Sequence, residues 1–190
     1  LETAEGRRVA VEPAPSWPLR ALPPSYWGYH LFGLLAALMG LGTWVFRRGF
    51  VPARLLALSG IGFFAATATN SLYLVRELAL PREWFHALTV ANHLALALMA
   101  GALLALMAHY PRRLLPRGGT GILAILIVAW QANEIGQWIE WPGHTFYTPL
   151  LALFGLAVAG AIRQWQCSSR EPESRAAMKW FFLSIFISMG

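Results

Sequence analysis

The sequence predicts an all-α membrane protein, a multi-pass bundle of about six transmembrane helices with the last one truncated, preceded by a short extended N-terminal segment. Three observations predict it. Hydrophobic residues make up 57% of the chain and charged residues only 13%, against about a quarter charged in a soluble domain. The apolar residues come in blocks long enough to cross a ~30 Å hydrocarbon layer. Lysine and arginine gather in alternate loops, the pattern expected when positive charge stays on the cytoplasmic side.

The strongest block is Trp84–His109. From Leu94 to Ala108 it carries no polar side chain. Counted from Trp84 it is about 25 residues, or roughly 37 Å of helix. Ala97, Gly101 and Ala105 share one face at i, i+4, i+8 spacing, the small-xxx-small pattern that lets membrane helices approach closely. One turn earlier that face reaches His93, with Asn92 beside it, and about two turns further back it reaches His86. The far end closes on His109-Tyr110-Pro111-Arg112-Arg113. This basic cluster sets the helix running from outside to inside.

In chain order, residues 1–25 read as the C-terminal end of an extracytoplasmic domain plus a connector. Gly6–Pro13 has the turn and alternation of a short strand. Five prolines among residues 13–24 make the connector stiff and extended. Residues 26–190 form the transmembrane domain. Its first helix spans Tyr26–Phe46, with Trp27 and Trp44 suited to the two interfaces. The second spans Arg54–Val75, after Pro52, with a small-residue face at Gly62 and Ala66 that ends at Asn70. The third is Trp84–His109. The fourth, Thr120–Trp138, turns abruptly polar from Trp130 onward. The fifth lies at Phe146–Trp165, and a sixth starts near Arg175 and is interrupted by the chain end.

Loop charges fix the expected topology. Ten of the 15 basic residues fall in Phe46–Arg54, Pro111–Gly118 and Arg163–Lys179, so these loops are placed inside and the N-terminus outside the cytoplasm. The net charge of +6 is therefore loop asymmetry, with the lipid bilayer and not nucleic acid as partner. A lone Cys167 excludes an internal disulfide and a multi-cysteine metal site.

This topology collects polar residues in the outer half of the bundle: His30, Asn70, Tyr73, His86, Asn92, His93, Glu134 and Gln137. Glu134 and Gln137 share a helix face and are flanked by Trp130, Trp138 and Trp141. A carboxylate inside a membrane span is by default a functional-site hypothesis. Asn70, His93, Glu134 and Gln137 are expected to line a small ligand or signal pocket walled by Tyr73, Trp130 and Trp138. The competing explanation is a purely structural hydrogen-bond network. No catalytic or metal constellation is expected. A membrane haem site needs paired histidines at matching depths, and no zinc-type HExxH or hydrolase-type GxSxG occurs. The alternative function is a membrane redox (haem or quinone) or transport protein using the outer-half His and Glu residues.

Four stretches carry a family resemblance: GRRVAVEPAPSWPLRALPPSYW, NSLYLVRELALPREWFHALTVANHLA, MAHYPRRLLP and ESRAAMKWFFLSIFISMG. Together they resemble the membrane sensor region of bacterial sensor histidine kinases that carry a periplasmic PDZ-like domain ahead of a multi-pass bundle. The resemblance implies a place in the bacterial inner membrane, a homodimer, and transfer of a signal to a cytoplasmic kinase core. That core would use ATP and Mg and pass phosphate to a response regulator. The chain itself has neither a phosphoacceptor histidine motif nor a glycine-rich ATP lid. Kinase activity would belong to domains beyond it, and no cofactor is expected in this segment.

Overall fold

Prolines open the first two helices of the bundle. α1 spans Pro24–Phe46, with Pro23 extended at its N-cap, and α2 spans Val51–Leu74, with Pro52 in its first turn. Both begin earlier than the sequence reading of Tyr26 and Arg54. The first N–H groups of a helix have no intrahelical acceptor, so proline loses nothing there and its fixed φ already suits the helix. α3 spans Arg82–His109, α4 Gly119–Gly136 and α5 Tyr147–Cys167, with Pro149 again in the first turn. Residues 172–176 and 178–179 are also helical, at the place expected for a sixth helix. The structure, a computed structural model, describes residues 22–74, 81–116, 118–136, 138, 146–168, 172–176 and 178–179. Among these there is no strand, and the strand and most of the proline connector expected in residues 1–25 lie outside them.

All five helices are long and apolar enough to cross a membrane. Their outward faces are correspondingly apolar: Phe46 is 89% exposed, Met39 73% and Ile125 69%. A water-facing surface of this kind would be unusual for a soluble monomer, so the chain is suggested to be a membrane protein. Of the nine described Lys and Arg residues, eight lie at the end of the bundle formed by the α1–α2 turn, the α3–α4 loop and the end of α5 onward; Arg82 alone lies at the other.

Small residues decide how the helices meet. α1 and α2 run antiparallel at a very close approach. A Cβ added at Gly40 would lie 2.8 Å from Ala57 Cα, and one at Gly60 would press on the Ala36 carbonyl. α2 and α3 are nearly as close, because a Cβ at Gly62 would sit 2.8 Å from the Met99 backbone nitrogen. The buried Asn92 ties this second seam, its Nδ2 donating to Ala66 O at 2.8 Å and to Thr69 Oγ1 at 3.1 Å. α3 is the most buried span and touches α2, α4 and α5. It is the centre of the bundle. Against α5 it runs parallel with a constant offset: His93 meets Phe146, Ala100 shares a cluster with Leu153, and Met107 meets Gly160. At the basic end, buried Gln164 of α5 closes the exit of α3. Its Nε2 donates to Met107 O and Arg112 O, and its Oε1 accepts from Arg112 N–H.

α4 is held differently. It touches α3 along a sparse antiparallel line. A cavity of about 270 Å³ opens beside that line, bounded by Leu55, Ala97, Gly101, Thr120, Leu123 and Ile127 among others. Toward its C-terminal end, α4 is joined to the rest of the bundle by polar and aromatic contacts.

Candidate functional site

His93 follows Asn92 on α3. Successive helix residues point about 100° apart, so with Asn92 turned to α2, His93 faces α4. The antiparallel line that sets Gly101 opposite Ile127 then brings Glu134 opposite His93. His93 Nδ1 lies 3.3 Å from Glu134 Oε1, with the two side chains only 20% and 14% exposed. This distance allows the imidazole N–H to donate to the carboxylate. A carboxylate paired with an imidazole can be kept at this depth, where an isolated one would be costly.

The other face of the imidazole is covered. Phe146, buried at the start of α5, stacks on His93 with ring centroids 3.7 Å apart and planes 10° from parallel. Trp130 also stacks on Phe146, with centroids 5.6 Å apart and planes 26° from parallel. One column of rings therefore links α3, α5 and α4, with the His93–Glu134 pair at its edge. Leu150, Leu153 and Ala100 pack beneath it. Pair and column together fix the rotamer of His93 from two sides.

Beside the pair lies a cavity of about 110 Å³ lined by His86, Thr89, Val90, His93, Gln131, Glu134 and Ile135. Every lining residue comes from α3 or α4. Gln131 is one turn before Glu134 on α4 and is buried, and neither of its amide atoms has a hydrogen-bond partner among the described residues.

The structure brings some of the residues expected to line a pocket together and sets others apart. His93 and Glu134 meet, and Trp130 stands close by in the ring column. Asn70 is half-buried on α2 and does not line the cavity, which opens between α3 and α4. Trp138 follows the end of α4, is 75% exposed, and lies against Gly136, so it does not wall the cavity either. Tyr73 belongs to the last turn of α2, but its side chain and all of Gln137 lie outside the described residues. His30, at the same end of the bundle, turns to its own helix and to α2, with Nδ1 2.9 Å from Tyr26 O and 3.3 Å from Ser71 Oγ.

Gln131 and Phe146, like the cavity-lining Thr89, Val90 and Ile135, are not singled out by the sequence reading. Gln131 was readable, since it sits at i−3 from Glu134 and so on the same face. Phe146 looked like the apolar start of a span, and nothing local marks it as a stacking partner. Among the described residues no three His, Cys, Asp or Glu side chains cluster as a metal-binding group. No family model, curated protein or solved structure matches the chain.

Proposed function

We propose that this chain is the membrane-embedded sensory region of a bacterial sensor histidine kinase, with its N-terminus outside the cytoplasm and its basic loops inside. In this reading a signal at the outer half of the bundle alters the seating of α4 against α3. The change passes through α5 to a cytoplasmic kinase core and from there to a response regulator. The observation that carries the reading is the His93–Glu134 pair at 3.3 Å. It is a polar clamp on the one helix that is otherwise loosely packed.

A transducing module needs an element with two arrangements whose populations a signal can shift. α1, α2 and α3 are poor candidates, because glycine seams at Gly40, Gly60 and Gly62 lock them at backbone contact. α4 is the better one. It faces α3 across a cavity and is tied by a pair whose partners both carry titratable, hydrogen-bonding groups. The eightfold excess of basic residues at one end among those described supports the orientation. The family assignment rests on the sequence resemblance.

The test uses the intact protein in cells. His93→Ala and Glu134→Gln are each expected to alter signal-dependent phosphorylation of the response regulator while membrane insertion stays normal. Unchanged signalling in both variants would leave the pair a structural link only.

A further inference from the structure

Gln131 is a buried polar residue that neither the packing nor the proposed clamp uses. The residue is 6% exposed, and both Nε2 and Oε1 lack a partner among the described residues. Buried polar side chains almost always have partners, so such an amide asks what it binds. It lines the 110 Å³ cavity together with Thr89, His86 and the His93–Glu134 pair. Thr89 Oγ1 already donates to Phe85 O at 2.9 Å, so toward the cavity it offers acceptor lone pairs.

We infer that this cavity is a binding site for a small uncharged molecule bearing a carboxamide or similar cis donor–acceptor group, held by Gln131. A carboxamide presents one N–H and one C=O side by side. Its complement is a second group with the same pair reversed, which closes two antiparallel hydrogen bonds. Charge selects further. The Glu134 carboxylate at the cavity disfavours an anion, its Oε1 is already engaged by His93 Nδ1 at 3.3 Å, and Val90 and Ile135 make the walls too apolar to hold an unpaired charge. Size agrees as well, because liquid water occupies ~30 Å³ per molecule and the cavity therefore admits only a compound of a few heavy atoms. Such a ligand would touch both α3 and α4 next to their clamp. The inference rests on the proposed sensory role only for what binding would do, not for the site itself.

The probe is propionamide, compared with propionate, its charged near-isostere. Ligand-observed saturation-transfer NMR on the purified chain in lipid nanodiscs reads binding. Transfer to propionamide and not to propionate is expected. Gln131→Leu keeps a similar volume and removes both polar atoms, and is expected to weaken propionamide binding about tenfold or more. Gln131→Met serves as a second variant if the first does not fold. Equal propionamide binding by the wild type and a folded variant would overturn the site, as would equal binding of propionate. Absence of transfer to either compound would overturn it too, leaving water as the partner of the amide. Amide binding in a protein whose α4 does not move would uphold the site and remove its role as the signal.

Discussion

Replacing Gly62 by alanine adds one methyl group at a place where the structure leaves no room for it. That Cβ would lie 2.8 Å from Met99 N, 2.9 Å from Ala95 O and 3.0 Å from Met99 Cα, whereas comfortable contact is ~3.5–4.0 Å. All three neighbours are backbone atoms of α3, so no side chain can swing aside. α2 and α3 must part by roughly 0.5–1 Å at this level, which also strains the Asn92–Ala66 bond one turn away. Overpacking of this kind costs ~1–3 kcal/mol, and the weakened interhelical bond adds up to ~1 kcal/mol. Against this, alanine is the better helix former by ~1 kcal/mol. The net expectation is a loss of up to ~3 kcal/mol, centred near ~1–2 kcal/mol, which at ~2–4 °C per kcal/mol for a chain of this size lowers the midpoint by up to roughly 12 °C. Gly101→Ala is the internal control. Its Cβ meets the end of the flexible Ile127 side chain, beside the 270 Å³ cavity, so the helix-propensity gain should prevail and the midpoint should hold or rise. Thermal unfolding in detergent, followed by the reactivity of the half-buried Cys167 thiol, measures both. If Gly62→Ala melts at or above the wild type, the argument for backbone-contact packing between α2 and α3 is wrong.

Gln164→Leu removes three hydrogen bonds that close the exit of α3. It is expected to cost ~2–3 kcal/mol at ~1 kcal/mol per bond, seen as a lower midpoint in the same assay. Asn92→Leu should cost less, ~0.5–1.7 kcal/mol, the range for interhelical bonds in membranes, and should leave the α3–α5 contacts intact as read by cross-linking of Met107→Cys with Gly160→Cys. With Cys167 replaced by serine, an impermeant thiol reagent outside intact cells should modify Gly143→Cys and spare Gly118→Cys. Modification of the latter would invert the proposed orientation.

The bundle was legible because helices long and apolar enough to cross a membrane are specified by simple, repeated features. Length, apolarity and flanking charge located five of the spans to within a few residues, and the Gly62/Ala66 and Ala97/Gly101/Ala105 faces are both buried as expected. Less visible was which small residues sit at backbone contact. Gly33, Ala37 and Gly40 of α1 form the tightest seam with α2, yet their spacing resembles that of the glycines facing open space at 28 and 42. Only the partner surface tells them apart. The site shows the same division. His93 and Glu134 could be paired from depth and face alone, since both follow from helix geometry. Gln164 could not be read as a lock on α3, because its partners are backbone atoms 52 and 57 residues away, and backbone partners leave no mark in sequence. Nor could Asn70 be separated from the pocket until Asn92 was seen turned toward α2.

The central claim is that the His93–Glu134 pair holds α4 in one of two seatings against α3. Spin labels at Leu94→Cys on α3 and Val128→Cys on α4, both on exposed faces, measure that spacing directly by pulsed electron resonance, with Cys167 replaced by serine and the protein in lipid nanodiscs. The wild type should give one dominant distance. His93→Ala and Glu134→Gln should each broaden it or move it by about 1–2 Å or more, the scale of helix shifts in switching proteins, while a label pair across α2 and α3 stays unchanged. Distance distributions that coincide in all three proteins would contradict the account, because the pair would then hold nothing that can move.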